Sequence, residues 1–213
     1  MKLGIYGTGG QGRETLVLAR QINQVAARWD DIFFIDDMTD ATSVSGVPVY
    51  RFEALDFHDV EISIALGEPA HRRMLANKVL PKAPLATLVH PGVFVPEDTN
   101  IGAGVLVGQG AFISCNVTLG DNALIQPNTY ISHDCQVGAH SVVCSQVSLG
   151  GKTTIGEGTF LGMNCVIKEL SVIGNDVVIG MGSVVTKDLA DDAVAFGNPA
   201  KIHRSNSNKR VFK

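Results

Sequence analysis

The residues best suited to chemistry are Ser132-His133-Asp134. An imidazole with a carboxylate beside it is a plausible general base, because the carboxylate holds the tautomer and raises its basicity. A second candidate is Gly7-x-Gly9-x-x-Gly12, directly after the apolar run Leu3-Gly4-Ile5-Tyr6. Glycines there allow a tight turn, and the N–H groups opening the next helix suit a phosphate. Three readings compete: a dinucleotide site, a mere turn, and a cradle for a nucleotide-linked sugar. The third is favoured, because some 80 residues supply only half of a two-lobed dinucleotide fold. Asp36-Asp37 ends the run Ile32-Phe33-Phe34-Ile35 and could accept from a base or ribose; a solvated turn is the simpler reading.

These groups need elements to position them. From Val89 to Val185, every sixth residue is Ile, Leu or Val, seventeen times in succession. A period of six is not helical, and it is too long for simple strand alternation. It fits a three-faced prism of short strands and turns, with one inward aliphatic per face and 18 residues per coil. By that arithmetic Cys115 lies one coil below His133 and Gly151 one coil above, with Asn116 and Lys152 flanking Asp134. Gly151 is expected to leave open space over the imidazole. Gly often follows the aliphatic, and Gly and Asn suit turns with positive φ.

Residues 1 to about 80 differ. Strands at Leu3–Tyr6, Ile32–Ile35 and Ile62–Leu66, with helices at Arg13–Arg28 and Pro69 to about Val79, make a βαβ unit. A segment from Leu85 to Val89 either completes that sheet or enters the prism. The expected fold is mainly β: a prism that resembles the left-handed parallel β-helix of the hexapeptide-repeat acyltransferases, preceded by a small Rossmann-like α/β domain. The domains are 1–82, 83–190, and a C-terminal segment 191–213.

Lys plus Arg is 17 against 21 for Asp plus Glu, and no basic stripe exists, which argues against a nucleic-acid partner. No apolar leader or uninterrupted membrane span is visible. The four cysteines lack C-x-x-C spacing and read as reduced thiols in a cytoplasmic protein.

The chain resembles the bacterial sugar acetyltransferases of the hexapeptide-repeat type, which include sialic-acid O-acetyltransferases and UDP-4-amino-sugar N-acetyltransferases. The resemblance rests on Ile5-Tyr6-Gly7-Thr8-Gly9-Gly10-Gln11-Gly12, Phe34-Ile35-Asp36-Asp37, Ile64-Ala65-Leu66-Gly67, His133-Asp134, Gly182-Ser183-Val184-Val185-Thr186-Lys187-Asp188 and Gly197-Asn198-Pro199-Ala200. It implies that acetyl-CoA is the co-substrate and a nucleotide-linked 4-amino-4,6-dideoxysugar the acceptor. His133 would be the base and Asp134 its partner. Gly9, Gly10 and Gln11 would hold the diphosphate, and Asp36, Asp37 and Gly67 the nucleoside. Gly151 would sit near the thioester, with Met163 and Met181 lining the cofactor groove between prisms of a homotrimer. N-acetyltransferase relatives carry a second histidine nine residues after the base. Here that position is Val142, and the nearby His140 is the candidate to replace it; Gln126 stands where a relative has Asn.

Other classes fit less well. A γ-type carbonic anhydrase would need His90, His133 and His140 in one zinc shell, which the coil arithmetic does not allow, so no metal is expected. A sugar O-acetyltransferase, a non-catalytic trimeric scaffold and a cysteine acyl-enzyme through Cys115 or Cys144 are the remaining alternatives.

Overall fold

The computed structural model describes residues 1–212. Its N-terminal sheet is built around β1 (Lys2–Tyr6), buried from Leu3 onward because parallel strands flank it on both sides. Those neighbours are β2 (Asp31–Ile35) and β5 (Val60–Ile64). A hairpin of β3 (Ser43–Val44) and β4 (Val47–Tyr50) extends the sheet to the order β3-β4-β2-β1-β5. The sequence reading missed this hairpin, whose signal is Ser45-Gly46, both at positive φ. Helix α1 spans Gly10–Ala26, earlier at both ends than expected, and α2 spans Pro69–Val79 with Pro69 in its first turn. The segment from Leu85 to Val89 does both jobs foreseen for it. Leu85 bridges Ile62, and Leu88–Val89 pairs with Leu106–Val107 of the prism.

The prism has three faces of two-residue strands in an 18-residue register. The first runs from Asn100–Ile101 to Val172–Ile173, the second from Leu88–Val89 to Val178–Ile179, and the third from Phe112–Ile113 to Val184–Val185. The second face is closed by Ala193–Gly197 and Ala200–Ser205. The second residue of each strand is the inward aliphatic. A positive φ recurs every six residues, for example at Asn116, Asn122, Asn128, Asp134, His140 and Gln146. The glycines after the aliphatics serve another purpose than turning. A Cβ at Gly138 would lie 2.5 Å from the Glu157 N, and one at Gly120 2.6 Å from the Ala139 N. That edge is the column Gly102, Gly120, Gly138, Gly156 and Gly174, where successive coils touch backbone to backbone. Buried hydroxyls in the small-residue slots reach carbonyls, as Ser141 does to Gly156 at 2.7 Å.

The α/β domain is pinned to the prism by Arg72, which is fully buried. Its guanidinium donates to the Asn122 carbonyl (2.8 and 2.7 Å), the Asn122 Oδ1 (2.6 Å), and the carbonyls of Ile64 (2.6 Å) and Leu66 (3.0 Å). Neutral oxygens thus replace a carboxylate partner. Burial pulls its pKa down to about 9, so the group is still a cation at neutral pH. The C-terminal strap adds a second tie: Glu68 accepts from the backbone N–H groups of Val211 and Phe212. Replacing Arg72 by Met strands those carbonyls inside the seam. The expected loss is about 3 kcal/mol of unfolding free energy, read by denaturant titration of the whole chain.

Candidate functional site

His133 and Asp134 stand on the edge between the third and first faces. Asp134 takes positive φ, which turns its carboxylate back to the imidazole. The Asp134 Oδ2 lies 2.8 Å from the His133 Nδ1, and its Oδ1 accepts from the Asn116 Nδ2 at 2.7 Å. Asn116 and then His133 hold the Asp134 carboxyl below its ordinary range. A carboxylate at Nδ1 keeps the proton there and leaves the Nε2 lone pair as the basic one. The coil neighbours are as the register requires: Asp134 N–H donates to Cys115, and Lys152 N–H to His133. One expectation is corrected. The space above Gly151 is filled by the imidazole itself, since a Cβ there would lie 2.6 Å from the His133 Nε2. Glycine is needed so that the ring can pack.

The glycine loop runs from Gly7, at φ 111°, into α1, whose N-cap Gly9 offers no side-chain cap. A Cβ at Gly9, Gly10 or Gly67 would meet nothing within 4 Å, so these backbones face open space. Neither Asp36 nor Asp37 is the free turn of the simpler reading. Asp36 accepts from the Thr8 N–H (3.1 Å) and hydroxyl (2.6 Å) and thereby ties the loop to β2. Burial opposes its ionisation, but the Thr8 hydroxyl and Met38 N–H outweigh it and lower its pKa. Asp37 accepts from Tyr6, from the Lys78 Nζ at 2.8 Å and from the Phe52 N–H at 2.9 Å. Burial again opposes, yet Lys78 and Tyr6 hold its carboxyl down to about 2.

The other candidates lie on different edges. Met163 and Met181 stack between the second and third faces, and both are exposed. The same edge, lower down, carries Gln109 and Gln126. Between it and α1 lies a cavity of about 250 Å³ lined by Gln11, Glu14, Leu18, His90, Gln109 and Gln126. The Gln126 Nε2 donates to the Gln11 Oε1 at 3.0 Å, a contact across 115 positions that no periodicity announces. His140 sits on the third edge, under the α/β domain, with its Nδ1 3.1 Å from the Asn122 Nδ2. The structure therefore does not bring His140 to His133, and Val142 is fully buried. Nor does one chain bring His133 to Met163 and Met181. Among the described residues, no group of three or more His, Cys, Asp or Glu is arranged to hold a metal, so His90, His133 and His140 form no shared shell. No helix among them is long and apolar enough to cross a membrane.

Comparison with known proteins gives matches to both halves. Residues 2–79 match the PglD N-terminal domain, and residues 116–151 and 152–187 match the bacterial transferase hexapeptide model of six repeats. The acetyltransferase domain of PglB from Neisseria gonorrhoeae, solved alone and with acetyl coenzyme A, is 28% identical over 95% of this chain and 99% of its own in the free form, with a TM-score of 0.88. PerB from Caulobacter crescentus, solved with CoA and GDP-perosamine, is 28% identical over 96% of this chain and 98% of its own, with a TM-score of 0.88. The chain is a sugar acetyltransferase of the hexapeptide-repeat type. WeeI from Acinetobacter baumannii, at 22% identity and a TM-score of 0.69, shares the fold. The curated proteins give no match.

Two features of this acetyltransferase follow from burial. Burial pushes the Cys144 and Cys165 thiols up to about 12, so neither is poised as a thiolate nucleophile. His140 is forced neutral by a chain of donors. Arg72 only donates, so Asn122 must turn its Oδ1 to it and its Nδ2 to Arg72 O and to His140. The His140 Nδ1 must then accept. Burial, then Arg73 and Arg72, lower its pKa, while Glu157 and Asp121 oppose. Above the ordinary histidine pKa, folded and unfolded states are both neutral and nothing is lost. As pH falls through that value the unfolded chain binds a proton that the folded chain refuses, so stability drops. Thermal unfolding at pH 7.5 and 5.5 checks this. His140→Gln, a residue the next corner already accepts at Gln146 with φ 62°, is expected to lose less of its Tm than the wild type.

Proposed function

We propose that this chain moves the acetyl group of acetyl-CoA to the 4-amino group of a nucleotide-linked 4-amino-4,6-dideoxysugar. The observation that carries this reading is the Asn116–Asp134–His133 chain over Gly151, on a prism whose other edge faces the glycine loop. The N. gonorrhoeae and C. crescentus relatives, solved with acetyl coenzyme A and with CoA and GDP-perosamine, support the co-substrate and the acceptor class. Acetyl-CoA is the acetyl donor. The amine attacks the thioester carbonyl directly: a C–N bond forms, the C–S bond breaks, and the thiolate leaves. The His133 Nε2 takes the amine proton, and Asp134 steadies the imidazolium through Nδ1.

The loop at Gly9, Gly10 and Gln11 holds the diphosphate through the uncapped start of α1. Gly67 and Asp36 border the nucleoside; Asp37, already committed to Tyr6 and Lys78, shapes its wall. Gly151 lies beside the thioester, and Met163 and Met181 line the cofactor. The third face supports a homotrimer. It exposes Phe112 and Tyr130, stacked at 4.7 Å, and Val166, between the His133 edge and the Met163 edge. A rotational trimer burying that face sets His133 of one copy against Met163 and Met181 of the next. Acetyl-CoA and nucleotide sugars are cytoplasmic metabolites, which is where the reaction belongs.

The test is thiol release from acetyl-CoA against a panel of nucleotide-linked 4-amino sugars. One of them is expected to turn over, with His133→Ala slower by roughly 10²- to 10⁴-fold. Turnover only with hydroxyl acceptors would move the enzyme to O-acetylation. No turnover and no acetyl-CoA binding would leave a scaffold. A subtler variant is Gly151→Ala, whose methyl displaces the imidazole. Its expected kcat is lower on the order of 100-fold, with a Tm close to that of the wild type.

A further inference from the structure

The cavity between α1 and the prism is bridged by one pair of side-chain amides, and their order of donors and acceptors can be derived. The backbone N–H of Ser145 lies 3.1 Å from the Gln126 Oε1. A backbone N–H can only donate, so this amide oxygen cannot be exchanged with its nitrogen. The Gln126 Nε2 must then face Gln11, 3.0 Å away, and must meet an acceptor there, the Gln11 Oε1. Both N–H bonds of the Gln11 Nε2 are left over, and among the described residues no protein acceptor takes them. Gln11 also donates nothing through its carbonyl, which accepts from the Thr15 hydroxyl at 2.8 Å. The relay from Ser145 through Gln126 to Gln11 therefore presents the cavity with a pure donor.

We infer that Gln126 is a positioning residue: it fixes Gln11 as a donor-only contact for an oxygen of the acceptor substrate, a diphosphate or sugar hydroxyl oxygen, inside the cavity at the start of α1. This rests on the nucleotide-sugar reading given above. An ammonium group is repelled from that position, since two donors would face each other. An oxygen acceptor is selected instead, so the relay sets which way round the sugar nucleotide enters.

Gln126→Glu reverses the polarity. Its carboxylate accepts from both Ser145 N–H and the Gln11 Nε2, turning the Gln11 Oε1 toward the substrate oxygen. The experiment is steady-state kinetics with the nucleotide-linked amino sugar that the wild type turns over, in a double-mutant cycle with Gln11→Met. Gln126→Glu is expected to raise KM for the acceptor at least ~10-fold, with KM for acetyl-CoA and Tm close to wild type. In the Gln11→Met background the same change is expected to raise it less than about twofold, because no amide remains to be turned. An equal rise in both backgrounds means that the added charge alone acts, and overturns the inference. So does an unchanged KM, or a parallel rise for acetyl-CoA. Binding of the bare nucleoside diphosphate separates the two oxygens: weakening by Gln126→Glu there assigns the contact to the diphosphate, and weakening only of the intact sugar nucleotide assigns it to the sugar. If the wild type turns over no nucleotide sugar, it is the functional reading that fails, and the inference falls with it.

Discussion

Every group on the prism is placed by one constraint, the stacking of residue i under residue i+18 in a parallel ladder. The inward aliphatics leave no room for error, since a slip of one residue would turn each strand's apolar side chain outward. The turn residue at positive φ recurs every six residues, three to a coil, from Asn116 and Asn122 up to Asp176. The His133 cluster is built directly on this rigidity. Asn116 reaches Asp134 because they are 18 apart, and Gly151, 18 residues on and one coil above, makes room for the His133 ring. An imidazole held this way needs no loop to close on it. Its position is set by backbone hydrogen bonds one coil below and one coil above.

The glycine loop belongs to the α/β domain and His133 to the prism, so their relative placement depends on how the two are held together. Arg72 does this at a cost. A fully buried guanidinium without a carboxylate is an expensive group, and only its fivefold hydrogen bonding to Asn122, Ile64 and Leu66 offsets the desolvation. The geometry of that compensation spreads outward. It dictates the orientation of the Asn122 amide, and through it the protonation of His140. The column of glycines on the same edge lets coils approach closely there, where the α/β domain docks.

The period of six was legible because burial repeats it on three faces, and 18-residue arithmetic then located Asn116, Cys115, Lys152 and Gly151 around His133. What the arithmetic could not supply was side-chain direction. Gly151 reads as open space in a list of positions, yet the imidazole occupies it. His140 is only seven residues from His133, yet a turn of the prism sends it to another edge. The hairpin at Ser43–Tyr50 is too short for a periodic signal, and its turn dipeptide was the only trace. Asp36 and Asp37 look like a solvated turn because their partners, Thr8, Tyr6 and Lys78, come from three separate elements. Contacts across a seam, such as Gln11 to Gln126, leave no mark in a single sequence, because each residue is an ordinary polar surface residue in its own segment.

Two amide relays, Arg72–Asn122–His140 and Ser145–Gln126–Gln11, run across the same seam, and both begin at a group that can only donate. Arginine starts one and a backbone N–H the other. An amide that accepts at one end must donate at the other, so polarity propagates through each chain without any choice of rotamer. The first relay ends on an acceptor nitrogen, His140, which can be satisfied only in the neutral state. The second ends on a donor nitrogen, Gln11, which stays unsatisfied by protein. One chain is closed and serves cohesion; the other is open and faces a cavity. A seam with both uses the same hydrogen-bond rule to hold two domains together and to leave two N–H bonds without a protein acceptor beside a cavity. The difference between structure and site here is whether the last group in the chain has found its partner within the fold.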